Sequence, residues 1–371
     1  MLGNARNPIV LVGLGVLFAE SFQGICLALG NRPDFLFDND NSKWGKTFFG
    51  IKCITLDELL ALPRSSKLVL TTRLADRMCA QFTAYGFDDV YALSFERSEA
   101  RIRDIYSLKK AERVRNEVPA RLRDLAGSWC YISGASRGIG AFVAKKLAES
   151  GVNLVLHARR AESLDEIKAA IEPSGVDVVL SNGDFASSAG LNRHCAWIEQ
   201  ECPSLDFAYI NAGISLPPPN GTFHDGTLEA WAETYQINVL APWSISRSLL
   251  KSSKIRAGGK ILFVSSSITG RLPEAAYACS KAGLNKLVND LSRNAGQFAV
   301  EFCLLDPGWI STDMGGPEAT HSVETLFPGI LFPVHSLHSC NGSWISVQDY
   351  QGYSIEDAIR RAHQLGDFEE A

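Results

Sequence analysis

A short apolar run, a glycine-rich turn and an amphipathic helix follow one another at residues 129–150, and this order constrains the fold more than any other feature. Residues 129–132 predict a strand, Ser133-Gly-Ala-Ser-Arg-Gly-Ile-Gly140 predicts the turn, and residues 141–150 predict the helix. Glycines allow the backbone to approach a phosphate closely, and the start of the helix behind them offers free N–H groups. We therefore expect an α/β unit that binds a phosphate-bearing ligand at this turn.

Apolar runs recur beyond this turn, and segments with helical periodicity separate them. We predict strands at residues 153–156, 176–180, 205–210, 260–264, 300–305 and 344–347, and helices at residues 228–250 and 355–365. Strands that alternate with helices are typical of a doubly wound parallel sheet, whose ligands bind at the carboxyl ends of the strands. Asn211-Ala-Gly213 and the run Ser265-Ser266-Ser267 stand at two such ends, so both contain candidate site residues.

The first 95 residues repeat the strand, glycine turn and helix on a smaller scale. Residues 9–12 predict a strand that leads into Gly13 and Gly15, although Phe18 stands where a third glycine would allow close packing of helix on strand. Further strands are predicted at residues 35–37, 67–71 and 89–92, and a helix at residues 76–85. This pattern predicts a smaller Rossmann-like α/β domain.

The chain of 371 residues exceeds the length of one ordinary domain, and its composition changes after residue 95. Residues 96–125 are rich in Arg, Lys and Glu, with Ile102, Ile105 and Leu108 spaced as on one helical stripe. The predicted organisation is a small Rossmann-like domain at 1–95, a charged helical connector at 96–127, the larger α/β domain at 128–350 and a C-terminal helix and tail at 351–371.

Composition restricts the class of protein. A formal net charge of −5 gives no basis for nucleic-acid binding, and no apolar run is long enough to span a membrane. Gly13 and Gly15 interrupt the apolar run at residues 8–18, which a strand and turn therefore explain better than a signal peptide. Nine cysteines are dispersed without a CxxC pair or zinc-ligand spacing, so we expect reduced thiols, a cytoplasmic protein and no metal site.

Tyr277 and Lys281 stand four residues apart in a helical segment, so their side chains are expected on one helix face. A free tyrosine is a weak acid with a pKa near ~10, and a positive charge beside it lowers that pKa. The pair is a candidate proton donor for carbonyl chemistry. The same spacing also arises on solvated helices that have no catalytic role.

Two arginines indicate which dinucleotide would bind at the glycine turn. The strand at 153–156 is followed by His-Ala-Arg159-Arg, not by the acidic residue that holds the ribose 2′-hydroxyl of NAD. Arg159, together with Arg137 inside the glycine turn, would suit the 2′-phosphate of NADP(H), and we expect no carboxylate to compete for them. Asp184 and Phe185 follow the next strand, where the adenine edge is expected.

Asn238 lies inside the predicted helix at 228–250, where asparagine has a poor helix propensity. A structural explanation is a hydrogen bond from its side chain to a nearby carbonyl. A functional explanation is that it anchors a water molecule or the backbone near an active site. Both explanations remain open from the sequence.

Residues 128–350 resemble the short-chain dehydrogenase/reductase family of the compact, single-domain type. The resemblance rests on motifs in the family's order, namely the glycine turn, Asp184, Asn211-Ala-Gly213, Asn238, the serine run, Tyr277-x-x-x-Lys281, and Pro307-Gly308 with Thr312. It implies a Rossmann-type doubly wound parallel sheet and an NADP(H)-dependent oxidoreductase that interconverts a carbonyl and a secondary alcohol. The cofactor contacts that it implies are Gly134, Ser136, Arg137, Gly138, Ile139, Gly140, Arg159, Asp184, Phe185, Asn211, Ala212, Gly213, Tyr277, Lys281, Pro307, Gly308 and Thr312.

The resemblance also implies catalytic roles. Tyr277 would give its proton to the substrate oxygen, and Lys281 would lower the pKa of that phenol and hold the nicotinamide ribose. A serine would hydrogen-bond the carbonyl, and Asn238 would steady a water of the proton relay. The position of the catalytic serine depends on the reference point: counting forward from the strand start at Lys260 favours Ser266, whereas counting back from Gly270 favours Ser267. The segment between the serines and Tyr277 is also shorter than is usual in the family. We predict Ser266.

Residues 1–95 resemble the small Rossmann-like domain that precedes acyltransferases and some methyltransferases of surface-glycan pathways. The matching residues are the Gly13/Gly15 turn, Phe37-Asp38-Asn39-Asp40, Trp44-Gly45 and Gly50. The resemblance implies either a nucleotide or nucleotide-sugar site or a scaffold without a ligand. It suggests a sugar or nucleotide-sugar substrate in glycan biosynthesis; the alternatives are a 3-oxoacyl substrate and a non-catalytic dinucleotide-binding scaffold or sensor.

Residues 313–342 contain glycine, proline and aromatic residues with little periodicity, which predicts a loop that covers the substrate. Three aromatic side chains would either stack on a sugar or base or fill the core, namely Phe327 and Phe332 in this region and Trp309 just before it. The family resemblance further implies a homo-oligomer, a dimer or tetramer, formed by helices beside the catalytic one.

Overall fold

The chain divides into two units in the computed structural model. One comprises Met1–Pro119 with Arg360–Gly366, and the other Ala120–Ile359 with Asp367–Ala371. The structure describes residues 7–14, 22, 25–26, 29, 31–71, 75–87, 89–95, 102–107, 120–218, 221–268, 272–365 and 367–368. Each unit has its own sheet of predominantly parallel strands.

The smaller unit contains a five-stranded sheet. The described strands of this unit are β1 (Ile9–Val12), β2 (Phe35–Phe37), β3 (Thr47–Phe48), β4 (Ile51–Lys52), β5 (Lys67–Leu70), β6 (Val90–Phe95) and β7 (Ile102–Ser107), and its bounded helices are α1 (Leu56–Leu60) and α2 (Ala75–Ala84). The sheet order is β2-β1-β5-β6-β7, and β3 and β4 form a separate antiparallel pair. β1 is buried along its whole length because its four residues are all apolar, as in the central strands of parallel sheets.

Asp38, at the end of β2, holds the glycine turn of the smaller unit together. Its Oδ2 accepts a hydrogen bond from the Leu14 amide at 2.6 Å and from Lys43 Nζ at 2.9 Å, and its Oδ1 accepts one from the Asp40 amide at 2.8 Å. Both carboxylate oxygens therefore have partners within this unit. Gly15, the second glycine of the predicted turn, lies outside the described residues.

Part of the predicted helical connector is a strand. Residues 102–107 form β7, which pairs antiparallel with β6, so the helix prediction was wrong there. The local pattern had a helical period, but pairing with β6 satisfies the backbone groups of a strand instead, and such tertiary context overrides helix propensity. Residues 96–101 and 108–119 of the connector lie outside the described residues.

The larger unit is built on seven parallel strands. These are β8 (Trp129–Ser133), β9 (Asn153–Ala158), β10 (Val178–Asn182), β11 (Leu205–Ile210), β12 (Ile255–Val264), β13 (Val300–Asp306) and β14 (Trp344–Ser346). Their order is β10-β9-β8-β11-β12-β13-β14, so the chain reverses its winding direction between β8 and β11. Ligands of doubly wound sheets bind beside this reversal. The predicted Rossmann-type doubly wound parallel sheet is confirmed for this unit.

Helices cover both faces of the larger sheet, as the alternating pattern predicts. They are α3 (Gly138–Glu149), α4 (Asp165–Ile171), α5 (Ser188–Gln200), α6 (Leu228–Tyr235), α7 (Ala241–Lys251), α8 (Ala275–Arg293) and α9 (Phe332–His335). The last helix, α10 (Ile355–Leu365), is divided between the two units. A five-residue π-helix, Gln236–Leu240, separates α6 from α7 inside the segment predicted as one helix. Short 3-10 turns connect several of the other elements.

The segment that was predicted to cover the substrate belongs to the core over much of its length. Ile330 and Phe332 are fully buried, and the Tyr209 hydroxyl of β11 donates a hydrogen bond to the Ile330 carbonyl at 2.8 Å. Phe332 therefore fills the core, whereas Phe327 and Trp309 are each 40% exposed. Long-range packing decides which of these aromatic side chains is buried, and it leaves no local period in the sequence.

Lys260, in β12, is a buried cation that fixes the same segment. Its Nζ donates hydrogen bonds to the carbonyls of Pro333, Ser336 and His338 at 2.9, 3.0 and 2.9 Å, and it lies 3.6 Å from Glu301 Oε2. An ammonium group has three N–H donors, so each donor has its own carbonyl. These bonds stabilise a charge that burial alone would disfavour.

Two imidazoles are buried beside β9. The ring centroids of His157 and His194 lie 4.5 Å apart, and His157 stacks on Phe185 with a centroid separation of 4.1 Å. His194 Nε2 lies 2.9 Å from the Tyr131 hydroxyl oxygen. Burial lowers the pKa of His194 to about 4, and burial together with the neighbouring His194 lowers the pKa of His157 well below its usual value. Both rings are therefore neutral in the folded protein at pH 7.

We expect the free energy of unfolding to fall as the pH falls from about 6.5 towards 4. In this window the unfolded chain binds protons on both imidazoles and the folded chain does not, so acid favours unfolding. The shift of His194 corresponds to about 3 kcal/mol. Urea unfolding between pH 7 and pH 4 would measure the slope, and His194→Gln should flatten it. Equal slopes for the variant and the wild type would contradict this role of His194.

Candidate active site

The glycine turn between β8 and α3 (residues 133–140) forms a tight cradle. A side chain at Gly134 or Gly140 would collide with the neighbouring backbone. A Cβ on Gly140 would lie 2.2 Å from the Gly134 carbonyl oxygen, and a Cβ on Gly134 would lie 2.9 Å from Ala212 Cα. Arg137, the residue before α3, makes no capping hydrogen bond with its side chain. By contrast, the Ser187 and Thr227 side chains accept hydrogen bonds from the first turns of α5 and α6. The first N–H groups of α3 thus have no side-chain acceptor, and they fit the phosphates of a dinucleotide.

Ser133 and Asn211 fix the shape of this cradle. Ser133 Oγ accepts hydrogen bonds from the Asn211 and Ala212 amides at 2.9 and 3.0 Å, and Asn211 Nδ2 donates to the carbonyls of Ser133 and Gly134 at 3.0 and 3.1 Å. The predicted site residues Asn211 and Ala212 therefore hold the turn itself. Ser133 was not predicted as a site residue, and its only signal in the sequence is a hydroxyl at the end of an apolar strand.

The two predicted arginines both lie at the surface. Arg159 and Arg137 are exposed, and Arg137 Nη1 lies 2.9 Å from Asp313 Oδ2. A carboxylate therefore competes for Arg137, contrary to the expectation from the sequence. Asp313 is far from Arg137 along the chain, and only the fold brings the two together. Ser136 and Ile139 are half-buried within the same turn.

The residues predicted at the adenine edge differ in exposure. Asp184 is exposed, and its Oδ1 accepts a hydrogen bond from the Ala186 amide at 3.1 Å. The Phe185 ring is buried and stacked on His157. Its side chain therefore belongs to the core, and only the main chain of Phe185 remains available at this edge.

Tyr277 and Lys281 lie one turn apart on α8. Lys281 Nζ lies 5.5 Å from the centre of the Tyr277 ring and donates a hydrogen bond to the Val264 carbonyl at 2.9 Å. Because Val264 ends β12, this bond fastens α8 to the carboxyl end of the sheet. A Cβ on Gly213, after β11, would lie 3.5 Å from Lys281 Nζ and 3.3 Å from Asn238 Oδ1. The fold thus brings together the Asn211-Ala-Gly213 motif, Asn238 and the Tyr277/Lys281 pair.

The charge state of the pair differs from the sequence expectation. Burial and, to a smaller extent, the Asp306 carboxylate raise the pKa of Tyr277 to about 12, while a hydrogen bond with Ser266 opposes the rise. Burial lowers the pKa of Lys281 to about 8. The lysine therefore loses its proton before the phenol does, so the expected acidification of Tyr277 by Lys281 is absent in the chain alone. At pH 7 the phenol carries the proton that it would donate.

The three serines after β12 have different surroundings. Ser265 is buried, and its hydroxyl donates a hydrogen bond to Asn285 Oδ1. Ser266 is half-buried and lies within hydrogen-bond reach of Tyr277. Ser267 is exposed. Among the described contacts of the three serines, that of Ser266 alone places a hydroxyl beside the phenol.

Asn238 joins the strand end after Gly213 to the helix of Tyr277. Its Oδ1 accepts from the Ile214 amide at 2.9 Å, and its Nδ2 donates to the Ile214 carbonyl at 2.8 Å and to Ser280 Oγ at 3.0 Å. Ser280 Oγ in turn donates to the Tyr277 carbonyl at 2.7 Å. These bonds fit both explanations for this asparagine, because its side chain donates to a nearby carbonyl and also anchors the Ile214 backbone. π-Helical segments such as the one that contains it occur frequently at functional sites.

The turn after β13 lies against the glycine cradle. The Pro307 carbonyl accepts a hydrogen bond from Gln348 Nε2 at 2.9 Å, and Gly308 has a φ of +77°, which a residue with a side chain rarely adopts. A Cβ on Gly138 would lie 3.2 Å from Thr312 Cγ2. The predicted residues of this motif and of the glycine turn are therefore neighbours.

No cluster of three or more His, Cys, Asp or Glu side chains suited to a metal ion occurs among the described residues. Within the same part of the chain, every helix is too short or too polar to cross a membrane.

Known sequences match the larger unit. The family model of the short chain dehydrogenases matches residues 128–322. The 2,3-dihydro-2,3-dihydroxybenzoate dehydrogenase of Bacillus subtilis is 29% identical over 194 residues, which cover 52% of this chain and 73% of that protein. The gluconate 5-dehydrogenase of Gluconobacter oxydans is 29% identical over 195 residues, covering 52% and 75%. An uncharacterized oxidoreductase of Mycobacterium tuberculosis is 30% identical over 194 residues, covering 51% and 76%.

Solved structures agree with this assignment. A short chain dehydrogenase from Burkholderia cenocepacia, in complex with NADP, superposes with a TM-score of 0.54 and 25% identity, covering 60% of this chain and 97% of that one. A short-chain type dehydrogenase/reductase from Mycobacterium marinum shares the fold with a TM-score of 0.54 and 23% identity, covering 61% and 96%. With the family model matched over more than half of the sequence and the sheet order and motif geometry described above, the chain belongs to the short chain dehydrogenase family.

Proposed function

We propose that the larger unit is an NADP(H)-dependent oxidoreductase that interconverts a carbonyl and a secondary alcohol. The observation that carries this proposal is the meeting of Tyr277, Lys281 and Ser266 at the carboxyl end of the sheet, beside a cradle that fits a dinucleotide. When bound, the nicotinamide cofactor supplies or accepts the hydride. A scaffold that only binds the dinucleotide needs the cradle but has no use for a buried proton donor.

Each polar side chain at the site has a separate role in this proposal. Tyr277 gives its proton to the substrate oxygen during reduction, and Ser266 donates a hydrogen bond to the same oxygen. Lys281, mostly charged at pH 7, binds the nicotinamide ribose, and only with the dinucleotide bound would its charge stabilise the phenolate that remains. Asn238 holds the Ile214 backbone and α8 in fixed positions through its hydrogen bonds, and it steadies a water of the proton relay.

Two observations support NADP(H) over NAD(H). No acidic residue stands directly after β9, and two exposed arginines, Arg137 and Arg159, stand at the glycine turn and at the end of β9. Guanidinium groups bind phosphate oxygens with planar, paired hydrogen bonds. The similar protein from Burkholderia cenocepacia was solved in complex with NADP.

The test is NADPH oxidation by the full-length protein with ketones, keto-sugars and 3-oxoacyl thioesters, followed by the loss of NADPH absorbance. We expect turnover with one of these classes and a kcat/KM for NADPH at least about tenfold above that for NADH, as two additional ionic hydrogen bonds would give. Tight NADPH binding without turnover of any class would favour the alternative, a non-catalytic scaffold or sensor.

A sugar or nucleotide-sugar of glycan biosynthesis is the substrate class that we propose. The similarity to gluconate 5-dehydrogenase and the resemblance of residues 1–95 to domains of glycan-modification enzymes support it. A 3-oxoacyl substrate is the second candidate, favoured by 28% identity to a very-long-chain 3-oxoacyl-CoA reductase-like protein of Arabidopsis thaliana. The ratio of kcat/KM for keto-sugars and 3-oxoacyl thioesters decides between them.

Alanine substitutions should separate the three serines. Ser266→Ala should lower kcat by about 10²-fold, because one preorganised hydrogen-bond donor to the reacting oxygen is lost. Ser267→Ala should leave kcat within about twofold, since an exposed hydroxyl away from the phenol contributes little. Ser265→Ala should instead lower the urea midpoint. Equal kcat values in all three variants would contradict the assignment of Ser266.

A homo-oligomer, dimer or tetramer, is also proposed, through α7 and α8. A cavity of about 300 Å³ between these helices is lined by Trp243, Leu250, Leu291 and Phe298 among others. Trp243 is 49% and Phe298 39% exposed, and apolar surface of this kind is typical of contacts between protein chains. Light scattering should give a multiple of the 40.4 kDa chain mass, and Trp243→Glu should reduce it; a wild-type monomer would contradict the proposal.

We place the reaction in the cytoplasm. The eight cysteines whose side chains the structure describes are free thiols, and six of them are buried. Reduced thiols are usual in compartments that glutathione keeps reducing. Fractionation of the native cell would test this, and recovery from an oxidising compartment would contradict it.

A further inference from the structure

Arg137, the cation of the glycine turn, already has an anionic partner in this structure. Its Nη1 lies 2.9 Å from Asp313 Oδ2, and the two side chains are 76% and 71% exposed. So exposed a pair contributes little to the stability of the fold. Its main physical effect is therefore to place a negative charge beside the cradle that would receive the dinucleotide.

The loop that carries Asp313 is fixed by hydrogen bonds of its own. Thr312 Oγ1 accepts from the Gly315 amide at 3.2 Å, and Trp309 Nε1 donates to the Gly315 carbonyl at 2.8 Å. The loop also touches the glycine turn, since a Cβ on Gly138 would lie 3.2 Å from Thr312 Cγ2. A short hydrogen-bonded loop therefore holds the Asp313 carboxylate at the turn, in contact with its cation.

We propose that Asp313 is a specificity-determining residue that restrains the affinity of the site for NADP(H). The inference rests on the proposed function, in which Arg137 and Arg159 receive the 2′-phosphate. A guanidinium binds one carboxylate or one phosphate in the paired geometry, so the incoming phosphate must displace Asp313 from Arg137. This competition for Arg137 lowers the affinity for the phosphorylated dinucleotide. NADH carries a neutral hydroxyl at that position, so Asp313 has little effect on its binding.

The test is isothermal titration calorimetry of the full chain with NADPH and, separately, with NADH. Asp313→Asn removes the charge and keeps the size of the side chain. It should lower the dissociation constant of NADPH about fivefold at low ionic strength, with a smaller gain in added salt, and change that of NADH by less than about twofold. Glu149→Gln is the matched control, because it neutralises an exposed carboxylate on α3 that pairs with Lys146 at 2.7 Å. It should change neither constant.

A double-mutant cycle tests whether Asp313 acts through Arg137. In an Arg137→Ala background, Asp313→Asn should lose its effect on NADPH. An unchanged NADPH constant in Asp313→Asn, an equal gain for NADH, or a gain that persists without Arg137 would each overturn the inference. A wild type that prefers NADH would contradict the proposed NADP(H) dependence, yet a selective gain for NADPH in Asp313→Asn would still support the role of Asp313. Binding of neither dinucleotide would overturn both.

Discussion

Tyr277→Phe should lower kcat with NADPH by about 10²- to 10⁴-fold and leave the dissociation constant of NADPH within about twofold of the wild type. The substitution removes one hydroxyl and keeps the ring, so α8 and its bond from Lys281 to Val264 stay in place. Because the pKa of Tyr277 is about 12, the phenol is fully protonated at pH 7. Removing it leaves Ser266, a much weaker acid than the phenol, beside the substrate oxygen.

Steady-state kinetics gives kcat, and calorimetry of the same preparation gives NADPH binding. Tyr91→Phe is a matched control, because Tyr91 also has a lysine beside it, with Lys67 Nζ 4.2 Å from its ring centre, but belongs to the smaller unit. The control should alter neither value. Wild-type turnover in Tyr277→Phe would refute the role of this phenol as proton donor.

Lys260→Met should lower the free energy of unfolding by about 3–5 kcal/mol, the usual result of removing one partner from a buried ionic network. The three carbonyls of Pro333, Ser336 and His338 would lose their donor in a buried position. Glu301 would lose the cation 3.6 Å from its carboxylate. Methionine approximates the length of the lysine side chain, so the loss of hydrogen bonds and charge, and not a large cavity, causes the effect.

Urea unfolding followed by tryptophan fluorescence measures this change. The control is Lys286→Met, which removes an exposed lysine paired with Asp290 one turn along α8. It should change the free energy of unfolding by at most about 0.5 kcal/mol. A cost below about 1 kcal/mol for Lys260→Met would mean that the ammonium does not hold the segment to β12.

The fold of the larger unit could be predicted from the sequence because its elements are delimited by strong local signals. The strand at residues 205–210 and the final helix at residues 355–365 were predicted with the ends that the structure has. Apolar runs bounded by glycine or proline, and helices between them, are sufficient for this result. The meeting of the motifs at the carboxyl end of the sheet then follows from the topology of doubly wound sheets.

The remaining differences depend on neighbours that are distant in sequence. β7 exists because it pairs with β6, and the pKa of Tyr277 is raised because the fold buries the phenol. Ser133, Ser280 and Asp313 act through partners that no local spacing reveals. The sequence pattern identifies residue types suited to a reaction, whereas burial and pairing, which set their charge states, require the coordinates.

The burial of Ile330 and Phe332 has a practical meaning for anyone who wishes to redesign the substrate range of this enzyme. Substitutions at buried positions such as Ile330 and Phe332 would disrupt the interior and destabilise the fold instead of changing selectivity. The exposed side chain of Met314, in the short loop beside the glycine turn, tolerates variation without such damage. Directed evolution of this scaffold should therefore start at that position.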